Sequence, residues 1–282
     1  MDQASSAAPA EDAVTADAPA PSLAAPRAPR LEPALFKELV LHLVKREIDA
    51  AHRMTILGWA WPVTRQLAQL AVLVFIFGHV LNLGIHDFPV YVFSGLIAWA
   101  WFSGGIGAAT RSLLDQRHLL FQPRMPPAVL PIVAIVVPLV DVLLALPVLA
   151  VMLLVGDGIP WTALLLPLLI VAQLVLMSGL AWLTAAGTVF FRDIPNIVAV
   201  ALNMLFYLTP VFYVLGRIPP QYQSYLKLNP MATIVDGYRA LLLGAPSPGA
   251  GAIAYTAALA VLLMGVGFVA FQRVQHRFVD NL

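Results

Sequence analysis

An all-α, polytopic membrane bundle is the fold class the sequence predicts, on three observations. Of 282 residues, 60% are hydrophobic and 11% charged, with a mean hydropathy of +0.85; soluble domains carry about 25% charged residues. The apolar residues gather in six runs close to the roughly 20 residues that a hydrocarbon core of about 30 Å requires. Between the last two runs lie two segments too short to cross, 219–228 and 230–243. The expected architecture is therefore six transmembrane helices, an N-terminal amphipathic interface helix (31–52) and two short re-entrant helices on the outer face (216–245). Together they form one membrane domain, 31–282, behind a tail of residues 1–30.

Each element has its own warrant. Residues 1–30 are rich in Ala, Pro and Ser and lack the positive start and apolar core of a signal peptide. Such a stretch cannot bury enough apolar surface to offset its ordering entropy, so a disordered cytoplasmic tail is expected. Over 33–52, Leu35, Leu39, Leu43 and Ile48 recur at helical spacing against Lys37, Glu38, Lys45, Arg46, Glu47 and Asp49, the pattern of a helix lying in the membrane interface. The first span covers 55–83, with Trp59 and Trp61 where an aromatic belt would sit. The second is 88–114, followed by a polar, Pro-broken connection (115–127) holding Arg117, His118 and Arg124. The third is 129–155, closed by the turn Gly156-Asp157-Gly158, and the fourth is 161–190.

Phe191-Arg192-Asp193-Ile194-Pro195-Asn196 is the polar break that ends the fourth run and starts the fifth, 197–215. Pro210 inside that span is expected to kink it. Asn229 can cap the second short helix, with Pro230 at its first position and Gly244 just past its end. Its Ile234, Val235, Tyr238, Leu241 and Leu242 fall on one face, while Thr233, Asp236 and Arg239 lie elsewhere. Bare backbone is not tolerated in lipid, so these helices lie at the interface or dip back into protein. A lid built from Pro219, Pro220, Asn229, Pro230, Tyr238 and Arg239 is the expectation. The last span is 251–271.

Six spans put both termini on one side, and Lys and Arg choose it. One face collects Lys37, Lys45, Arg46, Arg53, Arg111, Arg117, Arg124, Arg192, Arg273 and Arg277; the other has Arg217, Lys227 and Arg239. Both termini are expected to be cytoplasmic and the lid to face outward. A formal net charge of +1 gives no pointer to nucleic acid, and the absence of Cys excludes disulfides and thiolate metal sites.

The sequence contains no G-x-x-x-x-G-K-[ST], no H-E-x-x-H and no G-x-S-x-G. His79 and His86 lie near the end of the first span without a third ligand nearby in sequence, so interfacial histidines are expected and no metal. Asp141 lies inside the third span; such a carboxylate is functional by default, or else hydrogen-bonded across the bundle to Gln173 or Asn203. Arg65 either snorkels or meets an anionic head group. Phe206, Tyr207, Phe212 and Tyr213 could stack on sugar rings or simply pack. The candidate pathway residues are Trp59, Trp61, Arg65, Asp141, Asn203, Tyr207 and Tyr213.

Several pieces, taken in order, carry a resemblance: Leu57-Gly58-Trp59 with Trp61-Pro62, Phe77-Gly78, Ser94-Gly95-Leu96 with Trp99 and Phe102, and the Phe191 to Asn196 break. Further along come Pro210-Val211-Phe212-Tyr213, Ile218-Pro219, Asn229-Pro230, Tyr238-Arg239 and Arg277-Phe278-Val279-Asp280. With this order and spacing the chain resembles the permease subunits of ABC transporters that export polysaccharides, the O-antigen, teichoic-acid and capsule group. The resemblance implies a homodimer in the bacterial cytoplasmic (inner) membrane, with an ATPase subunit docked beneath each copy and ATP and Mg bound by that partner. It implies a lipid-linked glycan as cargo, in contact with membrane lipids, and no nucleic acid. It also implies coupling to the ATPase through Lys45, Arg46, Glu47, His118 and Arg124. The chain departs from the family at Glu47 to His52 and at Arg117 to Gln122, both on the surface that the resemblance implies faces the ATPase. Three rival readings are an exporter of a small lipid or drug on the same scaffold, an ion-coupled secondary transporter, which usually needs several mid-membrane titratable groups, and a membrane enzyme making lipid-linked glycans, which would need an acid/base or metal cluster.

Overall fold

The computed structural model describes residues 33–51, 58–120, 122 and 125–278, and among them all regular structure is helical. The expectations for residues 1–30, for Arg53 and for Arg124 lie outside the described residues. α1 (Pro33–Ala51) is helical over the stretch expected to form the amphipathic helix. α2 (Trp61–Leu73) follows a 3-10 turn, Gly58–Ala60, and continues through a π-helical stretch, Val74–Val80. α3 (Phe88–Asp115) is followed by the short α4 (Arg117–Leu120). The third span is split into α5 (Val129–Val136) and α6 (Leu139–Val155) by a turn at Val137-Pro138, while Pro147 is absorbed within α6. α7 (Leu166–Phe190), α8 (Ile194–Leu208), α9 (Pro220–Lys227), α10 (Pro230–Leu243) and α11 (Ala250–Val274) complete the chain.

Among the described residues, five stretches are long and apolar enough to cross a bilayer: Gly58–Val80, Phe88–Asp115, Val129–Val155, Trp161–Phe190 and Ala250–Arg277. The expected fifth span at 197–215 needs correction. α8 starts three residues earlier and stops at Leu208, 15 residues in all, or about 22 Å at 1.5 Å per residue. Pro210 does not kink this helix; it ends it. A proline drives the preceding residue out of the α region, and Thr209 is accordingly extended, with φ −97° and ψ 132°. Residues 209–214 then run on without helix.

α3 is the hub. Val92, Phe93, Ile97, Ala98, Ala109 and Leu113 are fully enclosed, and α5, α6, α7, α8 and α10 all pack on it. α7 and α11 lie backbone to backbone. A Cβ on Gly179 would overlap the main chain of Leu263 and Met264, and one on Gly267 would overlap the Gly179 carbonyl, the close approach that small residues permit between membrane helices. Buried Trp101 and Trp182 each donate their indole N–H, to the carbonyls of Ile135 at 2.9 Å and Ala128 at 3.0 Å.

The core divides into two clusters that mark the ends of the bundle. One joins Leu43 of α1, Leu119 of α4, Val129, Val189, Phe271 and Phe278. The other joins Phe88, Leu153, Leu166, Val211 and the buried face of α10. α1, α4 and the carboxyl end of α11 therefore share one end, and the two short helices occupy the other, called the gate end below.

Candidate transport pathway and gate

The non-helical stretch after α8 is the structural centre of the gate end. Non-helical backbone enclosed away from water needs its polar groups satisfied by protein, and here named side chains do so. The Thr209 hydroxyl donates to the Leu205 carbonyl at 2.7 Å and accepts from Asn229 Nδ2 at 2.8 Å. Asn229 Oδ1 accepts from the Met231 N–H at 3.0 Å, so one side chain both caps α10 and ties it to the end of α8. Two residues on, the carbonyl of fully buried Val211 accepts from Arg239 Nη2 at 2.6 Å.

Arg239 is only 1% exposed. Its Nε donates to the Tyr91 carbonyl at 3.4 Å, its Nη1 pairs with Asp236 at 3.2 Å, and its guanidinium lies 3.6 Å over the Tyr91 ring. The sequence expectation set Arg239 apart from the apolar face of α10. The structure buries it together with Ile234, Val235, Tyr238 and Leu242. The face of α10 that turns inward meets carbonyls of an unwound chain as well as hydrocarbon, and a planar five-donor fork fits several such acceptors at once. Burial raises the Asp236 carboxyl above its ordinary pKa, and Arg239 beside it offsets only part of that rise. Gly95 on α3 provides the room: a Cβ there would stand 3.1 Å from both Arg239 Nη2 and the Val211 carbonyl.

From this latch the rings of the region connect. Tyr91 Oη donates to the Tyr213 carbonyl and Tyr213 Oη to the Tyr207 carbonyl, each at 3.1 Å. Phe77 stacks on Phe212 at 4.8 Å between centroids, and Phe206 packs against Trp99, Tyr207 and Phe212 at 5.5 to 5.8 Å. Beside them opens a cleft of ≈ 400 Å³ lined by Tyr207, Tyr213, Arg217 and aliphatic side chains that include Leu83 and Ile218. Arg217 donates to the carbonyls of Leu83 and Gly84. Tyr207 is 67% exposed. Such a surface offers ring faces for stacking and few directed donors.

Residues 38–243 match the ABC-2 type transporter family. This chain belongs to that family. It is 31% identical over 250 residues to the O-antigen export system permease protein RfbA of Myxococcus xanthus, an alignment covering 88% of this chain and 96% of that protein. It is 24% identical over 250 residues to the protein of the same name from Klebsiella pneumoniae, covering 87% and 95%. The polysialic acid transport protein KpsM of Escherichia coli is 25% identical over 252 residues, covering 87% and 96%.

In this ABC-2 transporter the remaining candidate residues fall into separate groups. Arg65 and Asp141, considered singly from the sequence, face each other at 3.9 Å between α2 and α6. The partner expected for Asp141, Gln173, is engaged elsewhere: its Nε2 donates to the Ala98 carbonyl at 2.9 Å and its Oε1 accepts from Tyr238 Oη at 3.2 Å. Asn203, the other expected partner, is exposed on α8, and Trp59 and Trp61 are exposed at the start of the first span. Pro219 and Pro220 open α9, which buries no side chain, and Pro230 occupies the first turn of α10. At the opposite end Lys45, Arg46 and His118 are exposed, and Arg46 pairs with Glu47 at 2.9 Å. Leu43 of α1 and Leu119 of α4 share one core cluster, so these charges belong to one surface.

Two features escaped sequence reasoning. Gly95 was visible within Ser94-Gly95-Leu96, yet its reason, the guanidinium beside it, lies 144 positions along the chain. His86, expected to lack further ligands, stands with Asp87 and with Asp157 from the turn after α6, their ligand atoms within 4.8 Å of one another. His79 is not part of that group; its ring nitrogen lies 3.2 Å from the Val74 carbonyl.

Proposed function

We propose that the chain is the membrane-spanning subunit of an ATP-driven exporter that moves a lipid-linked polysaccharide across the bacterial cytoplasmic membrane. The observation that carries this reading is the near full-length likeness to O-antigen and polysialic acid permeases, over 87–88% of this chain and 95–96% of theirs. The aromatic cleft beside the gate supports it, because ring faces and sparse donors suit a sugar chain passing in many weak steps.

In this reading two copies enclose the route, each above an ATPase subunit that binds ATP and Mg; this chain lacks a phosphate loop. α8 makes the sixth crossing, completed by residues 209–214, which places both termini in the cytoplasm beside the Lys- and Arg-rich end. ATP binding draws the ATPases together and loads α1 and α4, through Lys45, Arg46, Glu47, His118 and, from the adjoining connection, Arg124. The bundle has two states, and the nucleotide favours one of them. α9 and α10 lift at the gate end when the spans separate. Arg65 with Asp141, and Trp59, Trp61, Asn203, Tyr207 and Tyr213, border the route.

The test is reconstitution in liposomes with and without a partner ATPase subunit. Glycan should cross only when both subunits and ATP are present. Movement by the purified chain alone down an ion gradient would overturn the exporter reading.

A further inference from the structure

The cleft beside the latch carries a single charge. Among the described residues that line it, Arg217 alone is charged; Tyr207 and Tyr213 present rings, and Leu83, Ile218 and Leu226 supply hydrocarbon. Its volume of ≈ 400 Å³ is within the roughly 300–1,000 Å³ of small-molecule sites. Leu226 belongs to α9, so an occupant would also touch the first of the two gate helices.

Arg217 is held in place but not neutralised. It closes a 3-10 turn, Leu215–Arg217, and its two terminal nitrogens donate to the carbonyls of Leu83 and Gly84. A guanidinium has five N–H donors, so these bonds to neutral acceptors leave further donors and the whole charge unanswered. Among the described residues it takes part in none of the ion pairs, and the side chain is exposed. Of the other cations at this end, Arg239 is sealed in the latch and Lys227 does not line the cleft. A molecule lying on the tyrosine rings would strip water from this guanidinium. A neutral hydroxyl offsets little of that loss, whereas a carboxylate or phosphate answers it with charge-assisted hydrogen bonds. The negative faces of the rings suit the C–H face of a pyranose.

We propose that this cleft binds a sugar unit bearing an anionic group, a carboxylate or a phosphate, with its ring on Tyr207 and Tyr213 and its anion on Arg217. The inference rests on the polysaccharide reading above and narrows it to a glycan with acidic units.

Saturation-transfer difference NMR on the purified full chain in a neutral detergent tests it, since the method reads weak affinities. Two pairs of probes are compared: a glucuronate-containing tetrasaccharide with the same tetrasaccharide reduced at its carboxyls, and glucose-6-phosphate with glucose. The acidic member of at least one pair should bind about three- to tenfold more tightly, the range between an exposed ion pair and a charge-assisted hydrogen bond. Which pair shows the gain names the anion, and the gain should shrink as salt rises. Arg217→Gln should abolish the preference, Arg217→Lys should keep part of it, and Tyr207→Ala should weaken both members of a pair. The comparison on the parent chain stands even if a variant fails to fold. Equal binding within both pairs overturns the proposal and leaves the exporter reading intact, whereas binding of none of the four sugars counts against both. Displacement of the acidic sugar by an equal concentration of inorganic phosphate, or of a short-chain phosphatidylglycerol, would reduce the cleft to a bare anion contact or a lipid site and also overturn the proposal.

Discussion

Replacing Arg239 by Met keeps most of the side-chain volume and removes the fork. The Tyr91 carbonyl would still hold the Ser94 hydroxyl at 3.0 Å, but the buried Val211 carbonyl would lose the Arg239 donor at 2.6 Å. An orphaned buried acceptor costs about 1–3 kcal/mol, and the lost contact over the Tyr91 ring about 1–2 kcal/mol more. Asp236, with 29% of its side chain exposed, is left without its cation. Against this, the desolvation of the guanidinium is no longer paid. Removing one member of a buried pair nets about 3–5 kcal/mol in comparable cases, and about 3 kcal/mol is the expectation here. Arg239→Lys, with charge but no fork, is expected to lose roughly half of that. Asp236→Asn keeps an acceptor for Nη1 and is expected to cost about 1 kcal/mol or less. Thermal unfolding in detergent measures these differences. Local release is read separately, because the chain has no cysteine: Val214→Cys, next to the latch, should react with a maleimide faster in the Arg239→Met background. A Met variant as stable as the parent, with Val214→Cys no more reactive, would refute the latch.

Three further outcomes follow from the same contacts. Gly95→Ala places a methyl 3.1 Å from both the guanidinium and the Val211 carbonyl, and is expected to destabilise by about 1–3 kcal/mol; equal stability by the same thermal assay would count against the geometry. Asn229→Ala should cost about 2 kcal/mol, one part for the cap and one for the Thr209 bond, whereas Asn229→Asp should retain the cap and lose only the second part. Gly179→Val drives a side chain into the α11 backbone, so folded protein should not accumulate in membranes, as measured by size-exclusion profile; a normal profile would sink the close packing of α7 and α11.

What the sequence could reveal was set by how local the governing chemistry is. The second short helix, 230–243, with Asn229 before it and Gly244 at φ +62° after it, was legible because caps act within four residues. The end of α8 was missed because apolar residues continue to Leu215, and hydropathy registers no break when backbone unwinds among hydrophobic side chains. The signal was present in Thr209-Pro210, since the residue before proline avoids the helix. Arg239 was misplaced because helical periodicity sorts residues by polarity and cannot know that the facing surface is made of carbonyls. Arg65 and Asp141 were each noticed, but their pairing depends on how α2 meets α6, which no local pattern encodes. Asn203, offered as a partner for Asp141, stands exposed on α8 for the same reason.

The shortness of Ile194–Leu208 bears on the membrane as well as on the protein. On the proposed crossing, the helix supplies about 22 Å of a hydrocarbon slab of about 30 Å; residues 209–214 complete the path on the protein side, and toward lipid the short helical face is accommodated by thinning the bilayer around it. A dimpled leaflet alongside α8 would bring the two aqueous phases closer together just where a hydroxyl-rich polymer must pass. The energetic barrier to export would then be lowered partly by the shape imposed on the lipid, and substitutions that lengthen α8 through Pro210 would thicken that patch and slow passage without touching any residue that meets sugar.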